Sequence, residues 1–506
     1  MTAALACGDT LVTPAQADEQ VGRIAAAMRR DGITEGSVVA LAMRNEPRYV
    51  MAALAARRLG AYALPLNWHF KADEAGWILA DSGASLLVAH ADLLAQMQAG
   101  LPAGLRVLLV EAPQAVRADY GLGAATGADP WDAWLATDPD ALPAAAPRMP
   151  MTYTSGTTGR PKGVVRGPMQ PEHQARAAQA NRATFGLRPG ARVLVSTSMY
   201  HSAPSTYAQL AALGCELLVI EPRFDAARLL ALIERHAITH LYLVPTLFVR
   251  LLRLPPEVRA RHDLRSLEFV LHGAAPCPVS VKRAMIDWWG PVIHEFYGGS
   301  EAGPIAASDS PGWLEHPGSV GRAVPNVDLM VCDEAGQPLP AGATGRTYIR
   351  QRNYPDFSYH RDEARRAACA HPREPGYFTL GDVGRLQADG WLWITDRSTD
   401  MVISGGVNIY PAEIEDVLAA LPGVADCAVF GVPDEEFGEA LLAVVQPAPG
   451  ATLDESQVRD YLRARLAGYK VPRRVEFAAE LPREESGKIF KRRLREARWR
   501  EAGRSI

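Results

Sequence analysis

The segment Thr154-Ser155-Gly156-Thr157-Thr158-Gly159-Arg160-Pro161-Lys162-Gly163 gathers four hydroxyls, three glycines and a lysine. Thr154, Ser155, Thr157 and Thr158 offer O–H donors, and Lys162 adds an ammonium. Gly156 and Gly159 let the main chain approach an anion closely. That chemistry suits a polyphosphate. The spacing is not that of a Walker A loop, because Gly159 is followed by Arg-Pro-Lys-Gly and Pro161 resists continuing a helix. The apolar lead Met149-Pro150-Met151-Thr152-Tyr153 reads as a strand feeding the loop.

Other clusters share this character. In Tyr297-Gly298-Gly299-Ser300-Glu301, an aromatic ring, a hydroxyl and a carboxylate surround two glycines. In His272-Gly273-Ala274-Ala275-Pro276, a run of small residues leaves the backbone open to close approach. Asp382 ends the segment Tyr377-Phe378-Thr379-Leu380-Gly381-Asp382 with a carboxylate that can accept two hydrogen bonds. Of 53 cationic residues, lysine occurs only at 71, 162, 282, 470, 488 and 491. In so arginine-rich a chain, a retained lysine points to a need for a compact ammonium.

The bulk composition sets bounds. The 506 residues are 48% apolar and 22% charged, which is ordinary for a folded enzyme of several lobes. A net charge of −4 gives no support for a nucleic-acid partner. No apolar run reaches the length of a membrane span. Met1–Gln16 lacks a basic n-region and carries Asp9, so it does not read as a signal peptide. Six scattered cysteines without a C-x-x-C pair suit a reducing cytoplasm.

Several elements must position these clusters. Residues 36–111 alternate strand and helix patterns: strand 37–43, helix 46–59 closed by Gly60, strand 61–65, helix 71–79, and strands 85–89 and 107–110. A second such series runs from 193 to 271. Alternation of this kind predicts parallel sheets in an α/β body. Residues 112–149, rich in Ala, Pro, Gly and Asp, read as a surface connection. Residues 328–352 read as a small β-lobe. A boundary falls near 396–400. Beyond it lies an α+β segment with a helix at 411–421, Pro411 first and Gly423 just past its end.

In order and in type, these motifs resemble the signatures of the adenylate-forming superfamily: acyl-CoA synthetases, firefly luciferase and nonribosomal peptide adenylation domains. The resemblance covers nearly the whole chain. It implies an α/β fold, with a large N-terminal body of doubly wound α/β lobes plus a β-lobe (1–396), a hinge (397–400), and a small mobile α+β C-terminal domain (401–506). It implies an ATP-dependent ligase. A carboxylate attacks the α-phosphate of ATP to give acyl-AMP and pyrophosphate, and the thiol of CoA then takes the acyl group and releases AMP. ATP and CoA are co-substrates and Mg²⁺ is the cofactor. The small carboxylic acid is expected to be apolar, fatty or aryl.

The resemblance also assigns roles. Lys488 in Ser486-Gly487-Lys488-Ile489, with Lys162, Glu301 and Ser300, would be catalytic. Thr154, Ser155, Gly156, Thr157, Thr158, Gly159 and Lys162 would hold the phosphates. Gly273, Ala274, Ala275, Tyr297 and Gly298 would lie against adenine, and Ser300 would bond the α-phosphate. Asp382 and Arg397 would bind the ribose, and Thr154 and Glu301 would hold the metal. Tyr200, His201, Tyr242, Phe248, His272 and Gly299 would line the acyl pocket. Ser404, Gly405 and Gly406 would meet the pantetheine arm of CoA, and Lys470 would assist. Three positions depart from the family pattern. Ser300 replaces the commoner Thr but keeps the hydroxyl. His272 stands where Ser or Gly is usual. Thr399, the hinge position, stands where Asp or Lys is usual. An enzyme loading a carrier protein, a non-catalytic nucleotide-binding relative and a luciferase-like oxygenase stay open, as does a homodimer. The identity of the acid is not encoded in any of these motifs.

Overall fold

Six parallel strands form the centre of the body, ordered Ile293–Gly299, Phe269–His272, His240–Leu243, Arg192–Val195, Leu217–Ile220 and Ala4–Cys7. The computed structural model describes residues 1–123, 130–136, 144–154, 161–397, 400–404, 407–434, 437–466, 468–483 and 489–501. Antiparallel strands Gly303–Ser308 and Arg322–Ala323 extend one edge of the sheet, and Thr10–Val12 extends the other. His240–Leu243 and Leu217–Ile220 are buried along their whole length, as expected where helices cover both faces. A second parallel sheet runs Tyr62–Pro65, Val38–Ala42, Leu86–His90 and Arg106–Val110.

Four adjacent strands of the large sheet end at Val195, Leu243, His272 and Gly299. The segments carrying His201, Phe248, Gly273 and Ser300 each follow one of those ends. Chain topology alone therefore brings four separate motifs to one edge. In open parallel sheets, ligands bind at the carboxyl ends of the strands.

Two antiparallel units flank this edge. One orders Phe357–Tyr359, Lys162–Arg166 and Thr152–Thr154. The other orders Val327–Cys332, Thr344–Gln351, Asp382–Leu386 and Leu392–Arg397, which contains the anticipated β-lobe. The C-terminal part has its own apolar core around Val402, Ile414, Leu418, Val429, Ala443 and Val458. Its helix Pro411–Ala419 begins with Pro and is followed by Gly423 at φ 94°, a left-handed residue suited to glycine. No helix among the described residues is long and apolar enough to cross a membrane.

The expected connection at 112–149 contains more structure than composition indicated. It holds the helices Gln114–Tyr120 and Pro130–Trp134. Trp131 and Trp134 are buried in the main core with ring centroids 5.3 Å apart, and this burial anchors the short second helix.

The two parallel sheets meet through a buried amide. Asn45 Nδ2 donates to the carbonyls of Thr197 (2.9 Å) and Glu221 (3.2 Å), and its Oδ1 accepts from the Met199 N–H (2.8 Å). The Tyr49 hydroxyl caps the Met199 carbonyl at 2.5 Å. Residues 197–199 are thereby fixed just before Tyr200 and His201. Asn45→Ala would strip partners from three buried main-chain groups, at a cost of about 1–3 kcal/mol each where water cannot replace them. A lower thermal midpoint is expected, with the rise in acid KM exceeding that in ATP KM. A variant melting like the parent would show that the amide does not hold this loop.

Candidate active site

The hairpin of Thr152–Thr154 and Lys162–Arg166 pairs Thr154 with Lys162 across its open end. The loop it frames, including Ser155, Gly156, Thr157, Thr158 and Gly159, lies outside the described residues. Lys162 Nζ sits 3.3 Å from Asp362 Oδ2 in a half-exposed pair. The Arg365 main-chain N–H, and after it Lys162, hold the Asp362 carboxyl below its usual range.

Arg166, on the same strand, is buried. Its guanidinium donates to the carbonyls of Ser300 (3.1 Å), Glu301 and Pro355 (3.1 Å). Burial pulls its pKa down to about 10, so it stays charged at neutral pH. The Ser300–Glu301 turn is thus tied to the 152–166 hairpin by one side chain. Glu301 Oε1 accepts from the Tyr359 hydroxyl at 3.1 Å. Burial and then the Glu301 charge raise the Tyr359 pKa, which keeps that hydroxyl a donor. Ser300 Oγ lies 3.4 Å from Ser202 Oγ at the start of helix Ser202–Gly214.

Tyr297 and Asp382 come from different sheets and meet directly, the phenol donating to Asp382 Oδ2. Asp382 is buried and pairs in register with Arg397 on the neighbouring strand. Close packing demands small residues nearby. A Cβ on Gly298 would lie 2.3 Å from the Gly303 carbonyl oxygen, and one on Gly273 would lie 2.7 Å from the Phe296 ring. Ala274 holds φ 71°, a left-handed conformation that costs a non-glycine residue energy and is concentrated at functional sites.

The anticipated acyl residues fall into groups. Phe248, on helix Pro245–Leu252, is fully buried and meets His272 edge-on at 5.2 Å. Tyr242 is also fully buried, but its ring lies against Tyr207 (5.7 Å) and Phe296 (6.3 Å). Its neighbour Leu243 is in register with His272, and side chains alternate along a strand, so Tyr242 points to the opposite face of the sheet. Tyr200 is buried against Trp68 at 4.5 Å and His201 at 4.3 Å. Gly299 sits where an added Cβ would come 3.0 Å from Leu380.

In the C-terminal part, Ser404 ends strand Val402–Ser404, pairing with Val407 and Gly438. Gly405, Gly406, Thr399 and Lys488 lie outside the described residues. Lys470 is bound by both Glu413 oxygens at 2.6 Å. Arg166, Tyr359, Ser202 and Asp362 were not singled out from the sequence. Arg166, Tyr359 and Asp362 belong to no motif, Ser202 closes the segment Met199-Tyr200-His201-Ser202 without a role of its own, and each reaches the site through a contact distant in sequence. Arg166 alone carried a local signal, as a cation at a strand position otherwise filled by Gly-Val-Val.

The AMP-binding enzyme family model matches residues 2–354, and the AMP-binding enzyme C-terminal domain model matches 413–488. The chain belongs to the AMP-binding enzyme family. A feruloyl-CoA synthase from an Amycolatopsis species is 34% identical over 490 residues, covering 96% of this chain and 94% of that protein. A long-chain-fatty-acid–CoA ligase, FadD13, from Mycobacterium tuberculosis is 33% identical over 496 residues, covering 96% and 93%. Among solved structures, ATP-bound MatB from Rhodopseudomonas palustris superposes with a TM-score of 0.84 at 29% identity, covering 98% of this chain and 95% of that one. The superfamily and the fold expected from the motifs are therefore those of this protein.

In this AMP-binding enzyme, Tyr297→Phe deletes one hydrogen bond to a buried carboxylate and little volume. ATP affinity should fall about 5–20-fold, the scale of a bond to a charged group at about 1.5 kcal/mol, with the thermal midpoint nearly unchanged. Calorimetric titration with ATP reads this directly. An unchanged dissociation constant would remove the Tyr297–Asp382 pair from nucleotide binding.

Proposed function

We propose that this AMP-forming acid–thiol ligase activates an apolar fatty or aryl acid at the carboxyl ends of the four central strands and passes it to CoA. The observations supporting this reading are the tie from the Lys162–Arg166 strand to the Ser300–Glu301 turn through Arg166, the Tyr297–Asp382 pair, and Phe248 packed on His272 at a neighbouring strand end.

The chemistry follows from charge. A carboxylate must approach an α-phosphate that is itself anionic, so the site has to stabilise both partners and the charge that develops between them. Lys488 bridges the acid carboxylate and the α-phosphate, and Ser300 donates to that phosphate. Lys162 and the 154–159 loop take the charge of the leaving pyrophosphate. Asp382 accepts from the ribose hydroxyls, with Arg397 beside it, while Tyr297 stacks on adenine against Gly273, Ala274, Ala275 and Gly298. Glu301, steadied by Tyr359, and Thr154 are oxygen ligands of the kind Mg²⁺ prefers. Mg²⁺ bound there would neutralise phosphate charge. Holding both reactants in line supplies much of the remaining acceleration.

The second half-reaction needs a different partner at the acyl carbonyl. Residues 1–396 form the adenylating body, 397–400 with Thr399 the hinge, and 401–506 the moving domain. Turning that domain withdraws Lys488 and brings Ser404, Gly405 and Gly406 to the site, where glycines let the pantetheine arm pass close to the backbone. Tyr200, His201 and Gly299 line the acyl pocket with Phe248 and His272, and Tyr242 supports it from the opposite face of the sheet.

Lys488→Ala should slow adenylation about 10²–10³-fold, the scale of losing one preorganised donor at developing charge. The same variant, given pre-formed acyl-AMP and CoA, should make thioester at close to the parental rate. Single-turnover measurements of each half-reaction, run on a panel of fatty and aryl acids, test both the domain rotation and the acid class. Equal loss in both half-reactions would contradict the rotation. Thioester formed with a carrier protein and not with CoA would replace the acceptor.

A further inference from the structure

Lys282 belongs to none of the motifs above. It lies on helix Val279–Trp289 and is completely buried. Its ammonium is 2.6 Å from Glu295 Oε2 and 3.5 Å from Ser308 Oγ, and it sits 4.7 Å over the Trp313 ring. Burying an ion pair is costly, and a packed apolar pair of similar volume is often as stable or more so. In a chain with only six lysines, this one sits where stability alone does not require it.

The other side of the pair meets the proposed acyl pocket. Glu295 is in register with His272 on the adjacent strand, and its Oε2 lies 3.6 Å from His272 Nε2. His272 is completely buried, and neither ring nitrogen has a hydrogen-bond partner among the described residues. Phe248 flanks the ring at 5.2 Å. Buried polar groups are nearly always partnered, so an imidazole with Nε2 facing Glu295 and Nδ1 without a hydrogen bond has room in its bonding for one further partner at Nδ1. Burial above all, then Lys282 and His294, hold His272 far below its ordinary pKa, so the ring is neutral. A neutral imidazole has one N–H and one lone pair. The Glu295 carboxylate, 3.6 Å from Nε2 and too far for a full hydrogen bond, favours through its charge the tautomer with N–H on Nε2 and the lone pair on Nδ1.

We infer that the buried Lys282–Glu295 pair sets the tautomer of His272, and that His272 Nδ1 selects an acid bearing a hydrogen-bond donor, a hydroxyl or amino group, remote from its carboxylate. This rests on the proposed placement of Phe248 and His272 in the acyl pocket. His272 would touch the substrate, whereas Lys282 and Glu295 are positioning residues. A pocket built to bond a substrate O–H discriminates strongly against the analogue lacking it, because the buried acceptor is then left bare.

The test uses 3-phenylpropanoic acid, its ring-hydroxy isomers and the matching methoxy isomers, with ATP and Mg²⁺, and reads pyrophosphate release. The best hydroxy acid should exceed both the unsubstituted and the methoxy acid in kcat/KM by about 10–100-fold. In His272→Ala that ratio should collapse to about 3-fold or less, because no acceptor remains to distinguish them. In Lys282→Met the KM for the hydroxy acid should rise about 10-fold while the hydroxy-to-parent ratio of kcat stays near that of the unmodified protein. A purely structural Lys282 would lower all acids together. If Lys282→Met does not fold, Lys282→Met with Glu295→Leu removes the charges as a pair and should show the same loss of selectivity. No hydroxy preference at any ring position, or a preference that survives His272→Ala, overturns the inference. Absence of pyrophosphate release with every acid, fatty acids included, would instead count against the ligase reading itself.

Discussion

The guanidinium of Arg166 is the contact on which the site depends. It leaves the hairpin of Thr152–Thr154 and Lys162–Arg166, enters the interior and donates to the carbonyls of Ser300, Glu301 and Pro355. Those carbonyls belong to turns that no single sheet could hold together. Ser300 and Glu301 follow a strand of the central sheet, and Pro355 precedes a strand that pairs with the one bearing Arg166. A planar fork with several fixed donors can serve three acceptors at once, which an ammonium or an amide cannot match in this geometry. Burial of Arg166 makes the arrangement both strong and demanding, since its own donors would otherwise go unpaired away from water.

Around that anchor the site is assembled from strand ends. Parallel topology sends the segments after Val195, Leu243, His272 and Gly299 to one edge, and the sheet fixes their spacing. The close approaches at Gly273 and Gly298 leave no room for a Cβ, so the strands converge as tightly as the backbone permits. Ala274 retains a strained torsion there. Strain of this kind is sustained because neighbouring packing over-determines the turn.

Much of this was legible in the sequence. The βα alternation at 36–111 and 193–271 marks parallel sheets, since hydrophobic periodicity is a local property. The candidate motifs are equally local, because each is one short run of sequence, and Tyr297, Asp382 and Glu301 could be named as candidates from their own neighbours. What joins the loops was not legible. Arg166 meets Ser300 across 134 residues of chain, and Tyr359 meets Glu301 across 58. Nothing in the spacing of either residue announces its partner. Strand register has the same character. Tyr242 and His272 both lie near strand ends, yet only the pairing of Leu243 with His272 shows that they face opposite sides of the sheet. The helix at Pro130–Trp134 lay hidden in an Ala/Pro/Gly-rich stretch, because burial of two tryptophans, rather than composition, stabilises it.

The dependence on Arg166 is measured most directly by calorimetric ATP titration of Arg166→Met, alongside thermal unfolding of the same preparation. Methionine fills much of the space with no donor, so the carbonyls of Ser300, Glu301 and Pro355 lose their shared partner while the apolar packing is largely kept. A folded variant whose ATP dissociation constant rises about 10-fold or more, equivalent to roughly 1.4 kcal/mol, is the predicted result. A folded variant that binds ATP as tightly as the unmodified protein would contradict the account, because the Ser300–Glu301 turn would then hold its geometry without Arg166.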